Sequence, residues 1–244
     1  MSAMPKPADE GCVCTIFPYA SLVGSLIWMC KTQPDISYAV STLARYMHLH
    51  TEEHDTAALH VLGYLSKYPN LGLGWTVTKT KNTDPIHLMM YADSSYGDVP
   101  DSRQSSHGYL MMMNGKPVSF ISKKTPGVTI GGTQEAEFII LSEASREALF
   151  LTQFLDEIEL PHSSPVMIRG DCLGAIRLVK TNRVTQKSKH IDMKYMSVRE
   201  HIGKEIIDVE HIDTSKNIAD IMTKPLGAVL FNKFRESIVC AVGQ

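Results

Sequence analysis

The sequence contains no apolar run approaching the ~18 residues of a membrane span, and its opening, MSAMPKPADEGCVC, lacks an apolar core of signal-peptide length. The expectation is a soluble intracellular protein. Cysteine is sparse and odd in number: Cys12, Cys14, Cys30, Cys172 and Cys240. No CxxC pair or Cys/His spacing suggests a zinc site, so free thiols in a reducing compartment are expected. An excess of charge of either sign is also missing. The formal net charge is −2 over 244 residues, so any nucleic-acid partner must be read from local charge. Apolar residues make up 43% of the chain, enough to build a core.

Residues 1–15 carry Pro and Gly without periodicity and read as a tail. Residues 16–80 read as a helical segment. YASLVGSLIW has apolar residues at helical spacing, and Pro34 opens a second helix striped by Ile36, Val40, Leu43 and Met47. Thr51 is the expected N-cap of a third helix, with Ala58, Val61, Leu62 and Leu65 as its stripe. The pattern changes after the polar turn KTKNTDP, and residues 81–244 are expected to form one further domain. IHLMMYADSS reads as a strand, and GYLMMMNGKPVSFISKK as a hairpin turned at Asn114-Gly115. A long amphipathic helix (TQEAEFIILSEASREALFLTQFLDEI) follows, then a strand (VMIRGD) and a helix (CLGAIRLVK). After these come a helix (HIDMKYMSVREHIG), a strand (EIIDVEHI) and a last helix (SKNIADIMTK). That order predicts an α/β fold with a mixed sheet and helices packed on it.

Four acids stand on or beside these apolar elements: Asp93, Glu137, Asp171 and Asp220. Carboxylates so placed are costly unless neutralised, and a pair of divalent cations would do so. Each also has a plain explanation. Asp93 could initiate a turn, Asp171 could cap a helix, and Asp220 could be solvated on its helix. Glu135 competes with Glu137, but residues two apart on a helix do not share a face. Glu137 aligns with Ile140, Leu141, Ala144, Ala148 and Leu151, so it is the acid expected to point inward. From Arg177 to Lys204, eight basic residues, Arg183, Lys187 and Lys189 among them, face only Asp192 and Glu200. Such local asymmetry suits a phosphate-bearing partner, against the alternative of an ordinary solvated face.

Several stretches resemble one family. YADSSYGDVPDSRQSSHGYL, VSFISKKT, TQEAEFIILSEASREALFL, SKHIDMKYMSVREHI and NIADIMTKPL are similar to the ribonuclease H domain of Ty1/copia-type retrotransposon polyproteins. YASLVGSLIW, QPDISYAVSTLARYM and EEHDTAALHVLGYLSKYPNLGL resemble the stretch that connects reverse transcriptase to that domain. The resemblance implies an RNase H-like fold, a mixed five-stranded sheet flanked by helices, with a small N-terminal helical extension. It implies hydrolysis of the RNA strand of RNA–DNA hybrids, with two Mg²⁺ ions, or Mn²⁺ in their place, held by Asp93, Glu137, Asp171 and Asp220. Gln134 is implied as an RNA-strand contact, and Arg183, Lys187, Lys189 and His190 as further substrate-binding residues. The implied partners are the hybrid and the upstream reverse transcriptase domain, with no membrane and no small-molecule cofactor. The implied location is the cytoplasm, with a virus-like particle or the nucleus as alternatives.

The sequence departs from the family pattern at two places near the acids. Cys172-Leu173 stands where a polar pair, often Asn-Gln, follows the third acid. Asp213-Thr214-Ser215-Lys216 occupies the loop that carries a mobile His in many ribonucleases H. The polymerase palm carboxylates are also absent, so the chain is not expected to be a complete reverse transcriptase. An alternative to an active nuclease is a retroelement-derived binding module of weak or no catalysis, favoured by Cys172-Leu173. An integrase-like nuclease of related fold would leave KHIDMKY unexplained.

Overall fold

A computed structural model of the chain describes residues 18–75, 84–97, 104–125, 132–181 and 192–242, the side chains of 192–196 excepted. The N-terminal tail expected at 1–15 and most of the polar turn lie outside them. Packing divides the chain into two units, residues 1–75 with 224–244, and residues 76–223. The final stretch, expected to belong with the sheet in 81–244, therefore groups with the helices.

The first unit contains α1 (Tyr19–Met29), a 3₁₀ turn (Pro34–Ile36), α2 (Ser37–Ala44), α3 (Glu52–Lys67), β1 (Leu71–Gly72), α7 (Ala228–Ile238) and β7 (Cys240–Ala241). The segment opened by Pro34 thus begins as a 3₁₀ turn and stops before Met47. Thr51 starts α3 in a capping box, its backbone N–H donating to His54 Nδ1 at 3.0 Å. Tyr19, Val23, Leu26, Ile36, Val40, Leu43, Ala58 and Val61 form the core. Leu62, expected in the α3 stripe, is exposed, and buried His54 and Asp55 extend the inner face instead. Helix α7 and the antiparallel pair β1–β7, registered Leu71↔Ala241 and Gly72↔Cys240, were not anticipated. Phe234 and Ile238 bury the inner side of α7. Tyr64 donates to the buried Asp35 carboxylate, and Arg235 reaches the Tyr64 hydroxyl at 3.5 Å.

The second unit is built on a five-stranded sheet of order β4-β3-β2-β5-β6. Its strands are β2 (Leu88–Ser95), β3 (Ser106–Met113), β4 (Lys116–Lys124), β5 (Val166–Gly170) and β6 (Ile207–His211). β2, β3 and β4 are antiparallel, whereas β5 runs parallel to both β2 and β6. The hairpin turns at Asn114 and Gly115, both with positive φ (50° and 77°), as the Asn-Gly pair predicts. Helix α4 (Thr133–Glu157) crosses the sheet, and α5 (Leu173–Lys180) and α6 (Asp192–Gly203) are the other α-helices among the described residues of this unit. Leu88, Met90 and Ala92 of β2, Tyr109 and Met111 of β3, and Ile168 of β5 share the main core with Phe138, Ile140, Leu141, Ala144 and Ala148. The expected last helix is instead two 3₁₀ turns, Thr214–Lys216 and Ile218–Met222.

A buried ionic group ties α4 to the hairpin. His107 is 1% exposed; its Nε2 lies 3.3 Å from Glu143, at ion-pair distance without hydrogen-bond alignment, and Lys123 Nζ lies 3.0 Å from the same oxygen. Burial pushes the Glu143 carboxyl up, but the His107 ring and Lys123 ammonium outweigh it and hold it at about 2. A depressed carboxyl stabilises the fold above its unfolded value and loses that contribution as pH falls through the folded one. Stability is therefore expected to drop between the ordinary 4.5 and about 2. In urea unfolding, Glu143→Gln should cost roughly 2 kcal/mol at neutral pH and should converge with the unsubstituted protein once the acid is titrated.

Candidate active site

Strand β2 delivers Asp93 and strand β5 leads into Asp171, because neighbouring parallel strands end at the same edge of the sheet. Helix α4 brings Glu137 to that edge one turn after its start. Oxygens of Asp93, Glu137 and Asp171 all lie within 4.8 Å of one another. Asp93 is 1% exposed and Glu137 4%, whereas Asp171 is half-buried. Glu137 is the acid of its pair that turns in. Its Oε1 accepts from the Ser94 backbone N–H at 3.1 Å, while Glu135 stays half-buried in the first turn. Three carboxylates this close repel one another, and two have little water to screen them. A divalent cation with oxygen ligands fits that donor set.

Asp220 is buried but lies outside this three-carboxylate group. It sits in the turn Ile218–Met222, and several hydrogen bonds fasten that turn. Asn217, fully buried, donates from Nδ2 to Ala92 O at 3.1 Å and accepts from the Ala219 N–H at 3.3 Å. Ser122 Oγ donates to Met222 O at 2.6 Å, and Thr223 Oγ1 donates to Asp93 Oδ2. Thr214, in the Asp213–Lys216 loop, donates to Asp171 Oδ2 at 2.7 Å. Reading the sequence missed Asn217, Thr223, Ser122 and Thr214, since uncharged hydroxyls and amides give no signal at a distance. Only Asn217, a favoured capping type before a short apolar run, offered a cue.

Gly108 matters here as an absence. It is the register partner of Asp93, and a Cβ there would lie 2.5 Å from Met222 Cβ and 2.7 Å from Ile121 O. The Met222 turn can approach the sheet beside Asp93 only because no side chain is present.

Gln134 is exposed at the start of α4, and its amide lies over Gly174 in the first turn of α5, where any Cβ would collide with it. That places it two elements away in sequence yet beside the segment following Asp171. Cys172 is half-buried; burial pushes its thiol up, with the nearby Glu137 and Asp171 carboxylates adding to the shift. Leu173 is 47% exposed at this edge. Arg183, Lys187, Lys189 and His190 lie outside the described residues. Among the described members of the basic segment, Lys180 pairs with Asp208 at 2.9 Å and Lys204 with Glu200 at 2.6 Å. Arg199 donates to Leu178 O at 2.9 Å and to Thr181 O, capping the end of α5. Arg199 is thus used within the fold, whereas Lys180 and Lys204 stay 43% and 62% exposed in surface ion pairs and Arg177 is exposed on α5.

The transposon RE2 Pol polyprotein of Arabidopsis thaliana is 34% identical over 220 residues, covering 90% of this chain and 15% of that protein. The Pol polyprotein of transposon TNT 1-94 from Nicotiana tabacum is 36% identical over 218 residues, 89% of this chain and 16% of that protein. The chain belongs to the Ty1/copia-type retrotransposon Pol polyproteins. It spans about 15% of the length of those Pol relatives. No protein-family model matches it. Among solved structures, LC11-RNase H1 in complex with an RNA/DNA hybrid aligns with TM-score 0.43 and 18% identity, over 56% of this chain and 93% of that one. The second unit carries the mixed five-stranded sheet, flanked by helices, that the resemblance led one to expect.

Proposed function

We propose that this Pol segment is a retroelement ribonuclease H that hydrolyses the RNA strand of RNA–DNA hybrids with divalent metal. The observation that carries the reading is the meeting of Asp93, Glu137 and Asp171 at one edge of an RNase H-like sheet. These three would hold the cation, with Asp220 as a fourth ligand from the turn fastened beside Asp93. When bound, Mg²⁺ or Mn²⁺ would supply Lewis-acid activation of water and charge neutralisation at the scissile phosphate. The chain's own contribution is to fix the acids before substrate arrives. The Ser94 N–H orients Glu137, the Thr223 hydroxyl orients Asp93, and the Thr214 hydroxyl orients Asp171. Gln134, whose amide lies against Gly174 in the first turn of α5, would donate to an RNA strand crossing this edge. Contacts to 2′-hydroxyls would distinguish that strand from DNA.

A second reading, a nucleic-acid-binding module of weak catalysis, draws on Asp220 lying outside the carboxylate group and on the exposed Leu173 at the edge. One assay separates the two. The purified chain is incubated with an RNA–DNA hybrid labelled on the RNA strand, across a range of Mg²⁺ and Mn²⁺. Cleavage of the hybrid, with the same RNA left intact when single-stranded and no reaction in chelator, is the expected result. Tight hybrid binding without cleavage at any metal concentration favours the module.

A further inference from the structure

We propose that Thr223 is a positioning residue for Asp93, holding the carboxylate in the orientation that receives metal; this rests on the ribonuclease H reading of the site. Thr223 is fully buried and Asp93 nearly so, and the hydroxyl of the one donates to Oδ2 of the other. The same Oγ1 is 3.4 Å from the Asp220 carbonyl. One hydroxyl thus joins the end of strand β2 to the turn that carries Asp220, across 130 residues of sequence.

The hydroxyl stays in place because the turn around it is fastened independently. Ser122 Oγ holds Met222 O, the residue before Thr223, and Asn217 Nδ2 holds Ala92 O, the residue before Asp93. Gly108 leaves the space in which Met222 sits. A donor to one carboxylate oxygen restricts rotation of the group, leaving its remaining lone pairs in a fixed direction. Groups that orient metal ligands in this way tune metal affinity without touching the metal.

The test uses Thr223→Val, which keeps the shape and removes the donor, and Thr223→Ser, which keeps the donor. Mn²⁺ binding to the full chain is measured by calorimetry, hybrid cleavage is measured against Mn²⁺ concentration, and thermal melting checks folding. Thr223→Val is expected to weaken Mn²⁺ binding and to raise the Mn²⁺ needed for half-maximal cleavage about tenfold. Thr223→Ser is expected to restore both. A purely structural role would lower the melting temperature of Thr223→Val with the Mn²⁺ midpoint of the folded fraction unchanged, which overturns the proposal. If the unsubstituted chain does not cleave, the ribonuclease reading falls, but calorimetry still decides this inference. Equal Mn²⁺ affinity in unsubstituted chain and Thr223→Val overturns it, and so does absence of Mn²⁺ binding in all three.

Discussion

Asp93→Asn is expected to reduce cleavage of an RNA–DNA hybrid by about a thousandfold, equivalent to about 4 kcal/mol of lost transition-state stabilisation. The substitution keeps the size of the side chain and removes the charge from the most buried of the three clustered acids. Asp171→Asn should give a loss of the same order, because it supplies another oxygen to the same group. The informative contrast lies in α4. Glu137→Gln should behave like the two aspartates, whereas Glu135→Gln should leave cleavage within about twofold, as expected of a half-buried first-turn acid outside the carboxylate group. Single-turnover rates at saturating Mn²⁺ measure all four variants. Equal losses for Glu135→Gln and Glu137→Gln would contradict the site as described. Melting temperatures at or above that of the unsubstituted chain would accompany the inactive variants, since removing one of three crowded like charges relieves repulsion.

Gly108→Ala should be far more damaging than its single methyl group suggests. The added Cβ would meet Met222 Cβ at 2.5 Å and the Ile121 carbonyl at 2.7 Å, and neither belongs to the free end of a flexible side chain. Either the Met222 turn lifts off the sheet or strands β3 and β4 separate. The first route withdraws Thr223 from Asp93, and the second disturbs the Ser122 bond that holds Met222. Overpacking of this kind costs on the order of 3 kcal/mol, and cleavage should fall even in the fraction that remains folded. Gly63→Ala is the matched control, in the middle of α3 with open space around it. There the same change should stabilise by about 0.5–1 kcal/mol, because alanine loses less conformational freedom in a helix. Urea unfolding of the two variants, with cleavage rates alongside, measures both effects. A Gly108→Ala protein as stable and active as the unsubstituted chain would mean that the Met222 turn does not lie against β3.

The elements that were legible in the sequence are those whose information is local. Strands β2 to β4 announced themselves through apolar runs and the Asn114-Gly115 turn, and α4 through its stripe. The inward turn of Glu137 followed from that stripe, because its neighbours on the face are core residues. The segment Asn217–Met222 was not legible. Its periodicity allows an α-helix, but its bonds to Ala92, Ser122 and Asp93 come from strands about 100 or more residues away and hold it as a 3₁₀ turn. Leu62 was misplaced because the α3 face is set by His54 and Asp55, polar residues whose burial only tertiary packing explains. The positive charge of Arg199 was countable, but its use in capping the end of α5 was not. Helix α7 is a different case: Leu230, Phe234 and Ile238 recur at helical spacing beyond Pro225, so its stripe was there to be read.

Helix α7 and strand β7 belong with α1, α2 and α3, although the whole sheet unit is translated between them. On a ribosome, α1, α2 and α3 emerge ahead of the sheet unit, without Phe234, Ile238 or a partner for Leu71 and Gly72. The sheet-bearing stretch then emerges in one continuous piece and has every strand it needs before residue 224 appears. Its folding therefore does not have to wait for residues 224–244, whereas the helical unit's does, with its apolar surface open in the meantime. A stop codon after Thr223 would spare the later-starting unit and cripple the earlier one, reversing the usual expectation that truncation damages what is made last.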